Sequence, residues 1–178
     1  MKKLLFLLLP SLILLCCSPV TVTTDYNPDQ DFAEFKSFKL YEGKPLPNDE
    51  LTKNPLIMKR VESAISKILI GKGFTEVDDE VDFIVLAHAG VKEKMRVDTY
   101  GYGWYDPWWG PYGGTTSVSY YEEGSLVIDI VDTDKKELSW RGIGTRTIID
   151  YSDPEDMQQV VDETVTKILA DFPPGGSK

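Results

Sequence analysis

The alternation of hydrophobic and polar positions in residues 123–149 predicts a β-hairpin. Leu126, Ile128 and Ile130 recur at every second position, as a strand with one buried face requires. The polar segment Asp132–Lys136 has the length of a hairpin loop. The apolar pattern resumes after it at Leu138, Trp140 and Ile143. Because a hairpin alone is marginally stable in water, we expect further strands and helices to cover it.

Two segments with apolar residues at helical spacing predict two helices. Asn54 is a favourable N-cap residue and Pro55 suits the first position of a helix. The second helix begins in the acidic segment 153–156, where negative charge complements the helix dipole. The predicted buried stripes are Ile57, Val61, Ala64, Ile65 and Ile68 in the first helix, and Met157, Val161, Thr164, Val165, Ile168 and Phe172 in the second.

The remaining apolar runs predict the other strands of one sheet. Residues 20–26, 74–77 and 81–97 are rich in β-formers, and residues 32–40 predict a helical turn followed by a strand. Residues 43–53 contain two prolines and an asparagine and predict a surface loop. The element order predicts an α+β fold, a two-layer sandwich with a mostly antiparallel sheet and two helices packed on one face.

The N-terminus has the pattern of a lipoprotein signal peptide, predicted over residues 1–16. Two lysines precede an apolar run, residues 4–15, that is too short to span a membrane as a helix. Cys17 is the expected acylation site because a small residue precedes it, and Cys16 remains the alternative. Stable anchoring takes more than one acyl chain, which a triacylated Cys17 would supply.

The mature chain, residues 17–178, is predicted to be a single periplasmic domain with no disulfide. Cys17 is consumed by lipid, so no thiol pair remains. The net charge of −10 argues against nucleic acid as a partner. Ser18 is not the aspartate that typically retains lipoproteins in the inner membrane, so we expect the outer membrane. The inner membrane remains the alternative.

One low-complexity segment, residues 100–114, is predicted to be an aromatic, glycine-rich loop. It holds three of the four tryptophans of the chain, separated by Gly and Pro, which disfavour regular structure. The candidate binding residues are Trp104, Tyr105, Trp108, Trp109 and Tyr112. Such rings bind sugars, peptides or a lipid interface. The alternative is that the loop covers its own sheet.

No pattern in the chain predicts catalysis, a cofactor or a metal. His88 is the one histidine, and a lone histidine in a strand is seldom a metal ligand. Asp132 and Asp134 resemble the start of a calcium loop, but Lys136 stands where a third ligand belongs. Asp129 and Arg141 are expected to form a cross-strand ion pair, of little energetic value if exposed.

The mature chain resembles the bacterial envelope lipoproteins grouped as the domain of unknown function 4136 family. The segments that carry the resemblance are Asp25-Tyr26, Asp31-Phe32 with Phe35, Asn54-Pro55-Leu56, Lys72-Gly73-Phe74, residues 123–129, residues 138–142, Ile168-Leu169 and Phe172-Pro173-Pro174. The resemblance covers nearly the whole mature chain, and relatives often carry a similar insert rich in Gly, Trp and Tyr. It implies a lipid-anchored periplasmic domain and supplies no active-site residues.

These observations together predict a non-enzymatic binding or structural module of the cell envelope, held at the membrane by the lipid on Cys17. The expected partner is an envelope protein or a glycan. The alternative is a carbohydrate or peptidoglycan binder that acts through Trp104, Trp108 and Trp109. A hydrolase that uses His88 as its base is the third hypothesis.

Overall fold

The structure, a computed structural model, describes residues 20–43, 49–100, 115–148 and 153–175, and the backbone alone of 96–100 and 115–118. Its strands are β1 (Thr21–Tyr26), β2 (Ser37–Leu40), β3 (Thr75–Glu76), β4 (Phe83–Tyr100), β5 (Thr115–Asp132) and β6 (Glu137–Thr147). Its α-helices are α1 (Glu50–Lys53), α2 (Pro55–Gly71) and α3 (Pro154–Ile168), and single 3-10 turns form at Phe32–Glu34 and Leu169–Asp171. In this part of the chain, no helix combines the length and apolar character needed to cross a membrane.

The strands form one sheet in the order β1-β6-β5-β4-β2-β3. The first four in this order are antiparallel neighbours, whereas β2 pairs in parallel with both β4 and β3. Parallel neighbours need a long crossover, and α2 lies in the crossover from β2 to β3. The α+β prediction is therefore confirmed. The sheet is mixed, however, because the crossover adds two parallel strands to the predicted antiparallel arrangement.

Both predicted helices form with their expected starts. The side chain of Asn54 accepts a hydrogen bond from the backbone N–H of Ile57 at 3.4 Å, and Pro55 is the first residue of α2. Asp153 accepts from the N–H of Glu155 at 2.8 Å at the start of α3. The two helices contribute Val61, Ala64, Ile65, Leu69, Val161, Val165 and Ile168 to the buried core.

Alternation along the central strands separates a core face of the sheet from an opposite face. Phe83 and Val85 of β4, Ile128 and Ile130 of β5 and Trp140 of β6 are at most 1% exposed on the core face. The predicted β5–β6 hairpin is confirmed, with its turn at 133–136. A register shift at Ile130/Val131 pairs Val131 with Leu138, so Leu138 is exposed instead of buried beside Trp140.

The prediction of a surface loop over residues 43–53 is wrong for the second half of that segment. Glu50–Lys53 form the short helix α1, and residues 44–48 lie outside the described residues. The buried carboxylate of Asp49 accepts from the N–H of Leu51 at 3.0 Å and from the N–H of Ala89, on β4, at 2.8 Å. Asp49 thus begins α1 and also fixes this segment to the edge of β4.

Candidate binding arm at the end of the β4–β5 hairpin

The predicted site residues lie outside the described part of the chain. This holds for Cys17 and for Trp104, Tyr105, Trp108, Trp109 and Tyr112. The strands that carry the aromatic segment are described: β4 ends at Tyr100 and pairs there with Thr115, the first residue of β5. Tyr100 therefore belongs to β4 and not to the predicted loop. Residues 101–114 connect the ends of two paired strands.

The paired ends of β4 and β5 form a two-stranded arm, which we define as residues 94–100 with 115–121. β4 and β5 have 18 residues each, whereas β6 has 11 and its ladder ends where Thr147 pairs with Glu123. The N–H of Ile148 still bonds to the carbonyl of Glu122 at 2.8 Å. Beyond that point no other described strand pairs with β4 or β5. At about 3.3 Å per residue, the arm extends roughly 20 Å from the sheet.

The described side chains of the arm include an exposed apolar pair. Met95 and Tyr120 are direct cross-strand partners and are 60% and 67% exposed. Contact within such a pair favours strand pairing, but most of both side chains still faces solvent. The arm therefore presents apolar surface on an element that is not part of the core.

The charged side chains at the base of the arm do not stabilise the pairing of its two strands. Glu93 and Glu122 are direct cross-strand partners, and like charges at such positions destabilise a strand pair. On the other face, Lys94 and Glu123 form a diagonal ion pair at 3.4 Å. With side chains 44% and 27% exposed, that pair contributes little. The base of the arm thus combines acidic and apolar groups on one face.

His88 lies on the part of β4 within the sheet, opposite Val127 and on the face away from the core. Its Nδ1 atom is buried and has no hydrogen-bond partner among the described residues. In the same part of the chain, no group of three or more His, Cys, Asp or Glu side chains is placed to hold a metal ion.

The acidic turn after β5 has a structural role. One carboxylate oxygen of Asp132 accepts from the N–H groups of Asp134 and Lys135, both at 2.9 Å. Asp132 is 5% exposed. Its carboxylate therefore closes the hairpin turn, in agreement with the prediction of a turn at this position.

The predicted cross-strand pair of Asp129 and Arg141 forms, and its carboxylate is buried. Nε and Nη2 of Arg141 donate to the two oxygens of Asp129 at 2.6 and 2.7 Å. The side chain of Asp129 is 6% exposed and that of Arg141 is 42% exposed. The hydrogen bonds with Asp129 raise the pKa of Arg141 above its ordinary value, against the opposing effect of burial. The pair is thus stronger than the sequence indicated, because both oxygens of a desolvated carboxylate are satisfied.

The fold and the arm define a class of α+β domain, a mixed six-stranded sheet with a long central hairpin that projects beyond it. The chain belongs to the family described as Domain of unknown function (DUF4136), whose model matches residues 22–174. This confirms the family that the sequence resembles. No curated protein matches the chain.

The chain is similar to solved structures at low sequence identity. A PDZ domain protein from Parabacteroides distasonis is 12% identical with a TM-score of 0.57, over 89% of this chain and 37% of that one. The PelC dodecamer from Paraburkholderia phytofirmans is 15% identical with a TM-score of 0.48, over 85% of this chain and 96% of that one. This chain therefore corresponds to little more than a third of the PDZ domain protein, and the likeness concerns the fold alone.

Proposed function

We propose that this protein is a lipid-anchored lipoprotein of the bacterial cell envelope that acts as a non-enzymatic binding module. The observation that carries the proposal is the arm, which exposes Met95 and Tyr120 about 10 Å beyond the point where the third strand ends. A projecting apolar surface is typical of a contact site. Because two isolated strands are marginally stable in water, a bound partner would also stabilise the arm.

A protein segment is the partner that the arm fits best. Along residues 94–100 and 115–121, the outer backbone edges of β4 and β5 are unpaired within the described structure. An extended peptide can add to such an edge as a further strand, with main-chain hydrogen bonds for affinity and side-chain contacts for specificity. Glu93 and Glu122 at the base of the arm favour a segment that also carries positive charge.

Photo-crosslinking in cells tests this assignment. A benzophenone amino acid at Tyr120 is compared with the same probe at Leu56 on α2, because the two side chains are equally exposed at 67% and 68%. We expect a discrete crosslinked protein from Tyr120 and none from Leu56. Equal products at both positions, or none at Tyr120, would exclude the arm as the contact surface.

The glycan alternative depends on the aromatic rings of residues 101–114, which lie outside the described residues. It is separated from the protein-partner proposal by one further measurement. If cell-wall fragments quench the fluorescence of Trp104, Trp108 and Trp109, while Tyr120 gives no crosslinked protein, the glycan hypothesis replaces the proposal of a protein partner.

We propose that lipid on Cys17 holds the domain at the outer membrane, facing the periplasm. The supporting pattern is the short apolar run that ends at Cys16 and Cys17. Replacing Cys17 by alanine should move the protein from the outer-membrane fraction, and replacing Cys16 should not. Wild-type protein in the inner-membrane fraction would contradict the location, and an unchanged Cys17→Ala variant would contradict the anchor.

We further infer that the domain has two layers, with α2 and α3 on one face of the sheet. In support, residues of both helices share one buried cluster with the core-face residues of β4, β5 and β6. The side chain of Ile168 on α3 also lies directly over Gly142 and Gly144 of β6. The opposite face, which carries His88 and the Asp129–Arg141 pair, lies outside that cluster.

A further inference from the structure

The N-terminal strand begins at the same end of the sheet as the arm. Thr21, the first residue of β1, pairs with Thr145 of β6, which pairs with Ser125 of β5. Ser125 in turn pairs with Gly90 of β4, and the arm begins four residues further along β4, at Lys94. The chain therefore enters β1 from the side of the arm.

The tether between the proposed lipid on Cys17 and the sheet is short. Cys17 precedes Thr21 by four residues, and an extended chain spans at most about 3.6 Å per residue, so the two residues are at most roughly 14 Å apart. The opposite end of the sheet, where Phe83 pairs with Asp132, is seven residues from Gly90, or about 23 Å. An acylated Cys17 therefore cannot reach a membrane that faces that end of the domain.

The arm reaches further than the tether. Tyr100 is ten residues beyond Gly90 on β4, or about 33 Å along the strand. If the strands stood upright on the membrane, the end of the arm would pass at least roughly 20 Å below the acylated residue. Hydrocarbon cannot satisfy the backbone edges of two strands, so this orientation is excluded as well. The orientation that remains is a sheet inclined to the membrane, with the arm alongside the lipid surface.

The exposed side chains of the arm suit a lipid interface. Met95 and its cross-strand partner Tyr120 are 60% and 67% exposed, and Val91 on the same face of β4 is 45% exposed. Tyrosine is favoured at membrane interfaces because its ring is apolar and its hydroxyl stays hydrated. Glu93 and Glu122 lie between these positions on that face, so a zwitterionic lipid surface is favoured over an anionic one.

We propose that the short tether holds the arm against the membrane that carries the lipid, with Met95 and Tyr120 in the head-group region of a zwitterionic bilayer. This inference rests on the proposed anchor at Cys17. It gives the arm a second contact, because the lipid covers one face of the arm whereas the outer backbone edges stay open to a protein segment. A partner bound at those edges would then also lie at the membrane surface.

The test is fluorescence quenching of the full, lipidated chain in phosphatidylcholine vesicles. The mature chain has no cysteine besides the acylated Cys17, so Met95→Cys provides a unique position for a thiol-reactive NBD dye. Leu138→Cys is the matched control, because Leu138 is an apolar strand residue, 43% exposed, at the opposite end of the sheet. With a nitroxide-labelled head-group lipid in the vesicles, we expect position 95 to lose most of its emission and position 138 to keep most of it.

A longer tether tests whether the tether causes the contact. A flexible insert of about twenty Gly and Ser residues between Ser18 and Pro19 extends the tether by roughly 25 Å on average. Quenching at position 95 should then fall to the level at position 138, while the variant still floats with the vesicles. Unchanged quenching would exclude the tether as the cause.

Two further results would overturn the proposal. Equal quenching at positions 95 and 138 in vesicle-bound protein would exclude the orientation and leave the anchor in place. Protein that does not float with the vesicles, or wild-type protein that takes up dye at Cys17, would overturn the anchor and the orientation together. Both substituted side chains are exposed, and circular dichroism of each labelled variant checks that its fold is unchanged.

Discussion

Asp82, at the start of β4, fixes the junction between β2 and β4. One of its carboxylate oxygens accepts from the N–H of Lys36 at 2.9 Å, from the N–H of Ser37 at 2.8 Å and from the hydroxyl of Ser37 at 2.9 Å. Burial, the largest single influence, raises the pKa of Asp82. The hydrogen bonds from Ser37 and Lys36 together outweigh it and leave the pKa below the ordinary value of 3.8.

This lowered pKa predicts a specific acid dependence of stability. The unfolded chain takes up the proton first as the pH falls, so the contribution of Asp82 is complete above pH 3.8 and is lost as the pH falls through the lower folded-state pKa. Asp82→Asn keeps an acceptor oxygen without the charge. It should lower the free energy of unfolding at pH 7 by about 1 kcal/mol and make that free energy less sensitive to acid.

Urea unfolding at pH 7 and at several values below pH 4 measures both effects. Asp79→Asn, at an exposed position in the preceding turn, is the matched control. If Asp82→Asn and Asp79→Asn show the same acid dependence, the hydrogen bonds to Asp82 do not stabilise its charged form.

Residue pairs also show where prediction from sequence stops. Asp129 and Arg141 could be matched from the sequence as opposite charges on neighbouring strands of a hairpin. The turn alone would place Asp129 opposite Trp140, and the register shift at Ile130/Val131 brings it opposite Arg141. The burial of Asp129 could not be predicted, because it depends on what surrounds this face of the sheet. The structural role of Asp49 could not be predicted either, because its hydrogen-bond donor Ala89 is 40 residues away in the sequence.

At the scale of elements, the close contact between β6 and α3 depends on glycine. A Cβ on Gly142 would lie 2.5 Å from Cγ2 of Ile168 and would also overlap the ring of Trp140. Ile168 and Trp140 are 0% and 1% exposed, so neither can move without disturbing the core. The absence of a side chain at Gly142 therefore sets the distance between the helix and the strand.

We expect Gly142→Ala to lower the free energy of unfolding by about 1–3 kcal/mol through overpacking. Gly90→Ala on β4 is the matched control, because no heavy atom lies within 4 Å of the added Cβ. It should change the free energy by less than about 0.5 kcal/mol. Urea denaturation measures the free energy of unfolding of both variants. Equal changes in the two variants would mean that the β6–α3 contact relaxes to admit a methyl group.

The elements that sequence patterns predicted well are those determined by local contacts. The starts of α2 and α3 follow from cap residues and prolines within a few positions of each other. The parallel pairing of β2 was missed because β2 has four residues and its neighbours are chosen by the crossover through α2. Helix α1 was missed because it too has four residues, and a buried cap stabilises it more than its own periodicity.

At the scale of the whole molecule, the chain divides into a packed body and an arm. The body holds the described buried side chains from all three helices and the central strands. The arm shares β4 and β5 with the body, but Met95 and Tyr120 remain exposed. Its hydrogen bonds are therefore expected to open without unfolding of the core.

Amide hydrogen exchange measures this division. Residues 94–100 and 115–121 should exchange about 100-fold faster or more than residues 83–87 and 126–130 of the same two strands, because opening the arm exposes little buried surface. The comparison within single strands provides its own control for strand length and composition. Equal protection along β4 and β5 would show that arm and body unfold together.

The uninterrupted pairing of β4 with β5 fixes how the arm can change in evolution. From Phe83–Asp132 to Tyr100–Thr115 the register has no shift, so the backbone pairing continues without a break from the core to the described end of the arm. One extra residue in either strand would turn every later side chain to the other face unless a bulge absorbed it. Relatives that keep the same surface on a longer or shorter arm should therefore differ by two residues in each strand, a parity rule that an alignment of the family can check.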